Sequence, residues 1–220
     1  MEPRIADLHI HSRYSHDSLL SPRRILRRAR RAGLTCVGIT DHGTLLGAWE
    51  AEHWAKAEGV EVITGVELAT DAGDIMGLFI NEEIRATAWE DAITAIREQA
   101  GISILPHPYR SHRMVEEIAR TVDLIEVWNG RCTPDENARA LSLSKELGKP
   151  GIMGSDAHTS REIGNVRFVL DTESWSLGEV LSQKYSSVWA IRESQVISHL
   201  KAGEVGALMR DAGRLLAGLS

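Results

Sequence analysis

Short apolar runs that read as strands alternate with capped helical stretches about seven times along this chain, and histidines or carboxylates follow most of the runs at once. Such alternation argues for a parallel α/β architecture rather than separate all-α or all-β parts. In a β/α barrel the C-terminal strand ends share one face, so ligand residues far apart in sequence converge there. An open doubly wound sheet is the second choice, because its crevice lies at one switch point and would not gather residues from so many strands. No glycine-rich phosphate loop and no GxGxxG opening a helix is present.

The opening strand ends in Asp7-Leu8-His9-Ile10-His11-Ser12. Residues two apart in a strand point to one side, so His9 and His11 project together, as metal ligands do. Ser21-Pro22 then marks a helix with an apolar stripe of Ile25, Leu26, Ala29 and Ala32, closed by Gly33. A strand over Cys36 to Thr40 delivers Asp41-His42-Gly43, a helix runs from about Leu45 to Glu58, and a strand near Val60 to Thr64 delivers Gly65-Val66-Glu67. Ile75 to Ile80 reads as a fourth strand. Thr87-Ala88-Trp89-Glu90 has the form of a capping box for a helix reaching Gly101. The strand Ile102 to Leu105 ends in Pro106-His107-Pro108, and a short helix around Met114 to Ala119 precedes the strand Asp123 to Trp128, followed by Asn129-Gly130-Arg131-Cys132. A second capping box, Thr133-Pro134-Asp135-Glu136, opens a helix that Gly148 closes. The strand Gly151 to Met153 delivers Gly154-Ser155-Asp156-Ala157-His158, and Val166 to Leu170 is one more strand. Residues 175–220 are expected to cover the barrel, through a short strand around Val188 to Ile191 and amphipathic turns carrying Val205, Leu208, Met209, Ala212 and Leu215.

With 220 residues, 43% hydrophobic and 25% charged, the chain is expected to form one domain around one core. No apolar run approaches the roughly 20 residues that span a bilayer and no secretory signal opens the chain, so the expected location is the cytoplasm, with no membrane partner. Cys36 and Cys132 are too few to staple a fold. A net charge of -6 disfavours a stable nucleic-acid partner, and the six arginines between Arg23 and Arg31 read as a solvated helix face. The sequence leaves the oligomeric state open. His53, His112 and His199 read as surface residues, and the tryptophans as packing groups.

The ligand-type set is His9, His11, Asp17, His42, Glu67, His107, Asp156 and His158, which includes five of the nine histidines. Mixed imidazole and carboxylate donors suit zinc, manganese or iron rather than calcium. Eight donors exceed what one tetrahedral ion takes, so two or three divalent ions are expected. Ions about 3.5–4 Å apart can activate water and neutralise a phosphoryl group under in-line attack. Arg110 and Arg131, near strand ends, are candidate substrate contacts on phosphate. Asp17, His42 and Arg110 are the candidate catalytic residues. Asp7 and Asp41, each shortly before a ligand histidine, are positioned to orient a ring.

These residues resemble the PHP (polymerase and histidinol phosphatase) superfamily, through Asp7-Leu8-His9-Ile10-His11-Ser12, Tyr14-Ser15-His16-Asp17-Ser18, Thr40-Asp41-His42, Gly65-Val66-Glu67, His107-Pro108 and Gly154-Ser155-Asp156-Ala157-His158. The resemblance covers residues 6–158 and implies a distorted seven-stranded β/α barrel hydrolysing phosphoesters at a two- or three-metal centre. It also implies that His9, His11, Glu67 and Asp156 hold one ion, Glu67 and His107 a second, and Asp17, His42 and His158 a third. Many members place another histidine between the His-Pro and Ser-Asp-Ala-His motifs, yet none occurs here from Arg113 to Ala157. Asn129, Cys132 or water is the expected substitute at the second ion, and Asp17 is preferred to the adjacent His16 at the third.

The expected function is hydrolysis of a small phosphorylated metabolite, such as histidinol phosphate or a nucleotide. A metal-dependent amidohydrolase is one alternative, although Glu67 stands where a carboxylated lysine would bridge the ions. A non-catalytic accessory module working with a DNA polymerase is the other.

Overall fold

Burial on both faces shapes the first strand. In the computed structural model, which describes residues 3–204, β1 (Ile5–Ile10) is buried from Ala6 onward, as expected of a strand covered on both sides. Helix α1 (Pro22–Arg31) starts at Ser21 with proline in its first turn, and turns Ile25, Leu26 and Ala29 inward. Its arginines lie on the outer side, where Arg23 and Arg27 share Glu58. The chain continues through β2 (Cys36–His42), α2 (Leu46–Glu58), β3 (Glu61–Thr70) and β4 (Gly73–Leu78). Then come α3 (Trp89–Glu98), β5 (Ile102–Leu105), α4 (Val115–Thr121), β6 (Leu124–Asn129), α5 (Pro134–Leu147) and β7 (Gly151–Gly154). The last elements described are β8 (Val166–Asp171), β9 (Ser176–Gln183) and α6 (Val188–Ala202).

The strands form one sheet in the order β7-β6-β5-β4-β3-β2-β1-β8-β9. The pairs β1–β2, β2–β3, β5–β6 and β6–β7 are parallel. β4 runs against both its neighbours, and β8 and β9 are also antiparallel. The expectation of seven strands is therefore corrected to nine. β1 to β7 curl into a nearly closed barrel, and β8–β9 extends the sheet as a ribbon beyond β1. Closure is made by backbone bonds between the end of β1 and the segment after β7: His11 N–H donates to Ala157 O at 2.9 Å, and Ala157 N–H to His9 O at 3.3 Å. The β3–β4 hairpin explains the reversed strand, since the two are joined by a turn too short for a crossover helix.

Helix ends divide into expected and unexpected. Thr133 and Glu136 form the reciprocal capping box, and Gly59 and Gly148 close α2 and α5 with φ of 67° and 60°. Thr87 does not cap α3; Ala88 holds that position, and Trp89 N–H is received instead by Asp71 Oδ1, 3.2 Å away in the β3–β4 turn. Val188 to Ile191 is helix rather than strand. The Ser187 side chain caps Ala190 N–H, and Ala190, Ser194 and Ile197 make a buried stripe at helical spacing. β9 went unread because most of its residues are exposed and carry no apolar alternation. The amphipathic turns assigned to Val205, Leu208, Met209, Ala212 and Leu215 lie outside the described residues. Among those described, no helix is long and apolar enough to cross a membrane.

Candidate metal centre

β1 carries His9 and presents His11 just past its end, β2 ends on His42, β3 carries Glu67, and β5 leads into His107. Asp156 and His158 follow β7, and Asp17 sits in the loop between β1 and α1. All eight expected donors meet. His9 Nε2 lies 3.1 Å from His11 Nε2 and 3.3 Å from Glu67 Oε2. Glu67 Oε1 reaches His107 Nε2 at 2.8 Å, and Glu67 Oε2 reaches His42 Nδ1 at 3.3 Å. His11 Nε2 stands 3.3 Å from Asp156 Oδ1, and His158 Nε2 stands 2.8 Å from Asp17 Oδ2.

Four sets of donor atoms, each within 4.8 Å of one another, result: His11, Asp17, His42 and His158; His9, His11 and Glu67; His9, His107 and Asp156; and Glu67, Asp74 and His107. Glu67 turns Oε1 to His107 and Oε2 to His9, His11 and His42, so its two oxygens face different imidazoles, the geometry of a bridging carboxylate. His16 belongs to none of the four sets, and its side chain is 62% exposed. Four buried atoms of this cluster, Asp17 Oδ1, Asp156 Oδ1, His107 Nδ1 and His158 Nε2, have no hydrogen-bond partner among the described residues. Orphaned buried acceptors are costly, and a cation satisfies them. The donor set therefore fits divalent metal.

The electrostatics agree with that fit. Burial alone would favour neutral groups, yet neighbouring imidazoles hold the Glu67 and Asp17 carboxyls well below the usual range, and Arg110 with His9 does the same for Asp156. Burial likewise opposes a charged His11, but Asp156 and Glu67 raise it to about 9. Burial, then His11 and Arg131, push His158 down to about 4, leaving it a neutral imidazole free to ligate. His107 and Asp156 also hold positive φ, 30° and 54°. Left-handed backbone at non-glycine residues costs roughly 1–3 kcal/mol each and clusters at functional sites.

Several neighbours aim these ligands. Asp41 receives Ser12 N–H at 2.6 Å and Ser15 Oγ–H at 2.7 Å. Ser15 Oγ can then only accept from His11 Nδ1, 3.0 Å away, which leaves Nε2 as the ring nitrogen turned toward the cluster. Asp7, raised to about 7 by burial, accepts from Ser155 N–H rather than from a ring. Glu126, which the sequence reading missed, accepts from His9 Nδ1 at 3.0 Å and from His107 N–H at 2.8 Å. Its one signal was a carboxylate inside an apolar strand pattern. Gly154 leaves room for this pair, because a Cβ there would fall 2.3 Å from His9 Cβ and 2.4 Å from Glu126 Oε1.

Four expectations change. Asn129 is not a donor: its amide N–H groups go to Glu126 and Asp156, and its Oδ1 accepts Arg131 N–H. Cys132 is buried, burial pushes its thiol up, and it joins none of the donor sets. Asp74 of β4 stands beside Glu67 and His107 instead, the place the sequence left open. Arg131 borders the cavity but is committed elsewhere, to Glu162 through Nε and Nη2 at 2.9 Å each and to Ser194 Oγ through Nη1 at 2.8 Å. Arg110 borders it too, anchored by Nη2 on Asp156 Oδ2 at 2.6 Å. His112, far from being a loose surface ring, braces the backbone carbonyls of Asp74 and Arg110. The cavity, about 360 Å³, is bounded by His16, Asp17, His42, Arg110 and Asp156 on the barrel side and by α6 on the other.

A barrel with merged imidazole and carboxylate sets at its strand ends defines a metal-binding α/β domain. This chain belongs to the PHP-domain family: the PHP domain matches residues 7–127, and a PHP-associated domain matches residues 134–183. It is 44% identical over 115 residues to an uncharacterised protein of Methanocaldococcus jannaschii, covering 47% of this chain and 67% of that protein. It is 39% identical over 103 residues to a 5'-3' exoribonuclease of Haemophilus influenzae, covering 44% of this chain and 37% of the exoribonuclease. Its fold is similar to that of a two-domain Bacteroides vulgatus protein containing a predicted PHP-like metal-dependent phosphoesterase, with TM-score 0.59, 20% identity, and coverage of 86% of this chain and 61% of that one. The chain thus spans less than two thirds of both of the latter.

Proposed function

We propose that this chain is a metal-dependent phosphoester hydrolase acting on a small phosphorylated metabolite. The observation that carries the reading is the Glu67 carboxylate with one oxygen on His107 and the other on His9, His11 and His42, beside a cavity that Arg110 also borders. Two or three divalent ions of zinc, manganese or iron, held by His9, His11, Asp17, His42, Glu67, Asp74, His107, Asp156 and His158, would supply an activated water and neutralise phosphoryl charge.

The protein's own groups do the rest. Asp156 fixes one end of the Arg110 guanidinium, so its remaining N–H groups can meet phosphoryl oxygens with little loss of side-chain freedom. Asp17 and His42, with side chains 17% and 26% exposed, are the donors nearest incoming substrate. α6 closes one side of the cavity, which favours a small molecule over a long polymer. The likeness to an exoribonuclease supports a second reading, in which the phosphoester lies at the end of an RNA strand.

The test is phosphate release from an aryl phosphate, a panel of phosphorylated metabolites and a 5'-phosphorylated oligoribonucleotide, each with manganese, zinc or iron. Release from small substrates is expected, with loss of both activity and bound metal in His9→Ala and Asp156→Ala. Amide hydrolysis alone, or no phosphate release with any metal, would overturn the proposal, whereas turnover of the oligonucleotide only would move it to the second reading.

A further inference from the structure

Lys201, near the end of α6, makes an arrangement that the metal ligands do not explain. Its ammonium donates three hydrogen bonds, each 2.7 Å, to the carbonyls of Arg13, Ser15 and Ser18. Lysine has three donors, so all of them are spent on one loop. The carbonyls of Ser15 and Ser18 bracket His16 and Asp17. Ser18 in turn donates its hydroxyl toward His11 O at 3.1 Å and His158 O at 2.9 Å. The clasped loop is therefore seated directly on two other donors of the set formed by His11, Asp17, His42 and His158.

The same helix turns Ile191, Ser194, Gln195 and Ser198 toward the cavity, and Ser194 is held from the barrel side by Arg131. α6 is thus tied at two points, one on the barrel and one on the ligand loop. A free loop of this length would leave Asp17 to sample many positions, and fixing it beforehand lowers the entropy lost on binding an ion.

We propose that Lys201 is a positioning residue that latches α6 to the Arg13–Ser18 loop and so presets Asp17 as an ion ligand. This rests on the metal-centre reading given above, but not on the reaction, and its test needs no substrate. Manganese binding to the full chain is titrated by calorimetry for the parent, Lys201→Met, Lys201→Arg and Asp17→Asn, with folding checked by circular dichroism. Lys201→Met is expected to weaken one ion by about 10–100-fold, the usual size for losing a group that orients a ligand. The other ions should bind as in the parent, and Lys201→Arg should lose less. In an Asp17→Asn background Lys201→Met should add nothing, because the ligand it presets is gone. Unchanged affinities in Lys201→Met, or an equal loss in the Asp17→Asn background, would overturn the inference. If Lys201→Met does not fold, Lys201→Ala carries the same comparison, and parent-like binding by it would overturn the inference too. Failure of phosphate release with these affinities intact would count against the proposed reaction and leave the latch standing.

Discussion

Glu126 carries two tasks on one carboxylate. Oε1 accepts from the His9 ring, and Oε2 accepts from the backbone of His107 and from the Asn129 amide, so one side chain sets the orientation of one ligand and the backbone of another. Glu126→Gln keeps the shape but replaces an acceptor with a donor at one of these contacts. We expect roughly 10–100-fold weaker binding of the ions that His9 serves, measured by metal titration, with Asp17→Asn losses unaffected. Of the residues in the donor sets, all but Asp74 were legible in the sequence; of those that aim them, Asp41 was and Glu126 was not. His9, His42, His107 and His158 each follow an apolar run, a pattern visible in one dimension. Glu126, Asp74 and Glu162 sit within or beyond runs that read as ordinary strand or loop, and their role exists only once distant strands are adjacent.

Among the elements, α2 shows how tightly the ligand loop is packed. Gly47, in its first turn, lies against the knot of Ser12 and Asp41: a Cβ there would sit 1.8 Å from Asp41 Oδ2 and 2.3 Å from Ser12 Oγ. In an open helix glycine to alanine is favourable by about 1 kcal/mol. Here Gly47→Ala is expected to destabilise by about 1–3 kcal/mol through overpacking, visible as a lower melting temperature. The alternation of elements was readable from periodicity and caps, including the Thr133 box. The direction of β4 and the helical state of residues 188–202 were not. A two-residue turn and a serine cap decide them, and neither leaves a long pattern.

For the molecule as a whole, stability should depend on acid through Glu162. Burial would raise this carboxyl, but Arg131 holds it below its ordinary value, and it also receives His158 N–H and Thr159 N–H. A carboxyl depressed in the folded state stabilises above its unfolded pKa, ordinarily 4.5, and that contribution fades as pH falls through the lower, folded value. Glu162→Gln should therefore cost about 3–5 kcal/mol at pH 7, as removal of one partner from a buried ion pair does. The gap to the parent should narrow as denaturant unfolding is repeated at pH values under 4.5. The sheet order adds a temporal constraint. Because β1 closes against the segment after β7, with Asp7 and Ser155 bonded across 148 positions, a nascent chain leaving the ribosome exposes its first two imidazoles long before Asp156 and His158 have been translated. Cation capture at full strength would then mark a finished barrel, and its binding energy would accrue to the folding of the entire sheet rather than to any early fragment.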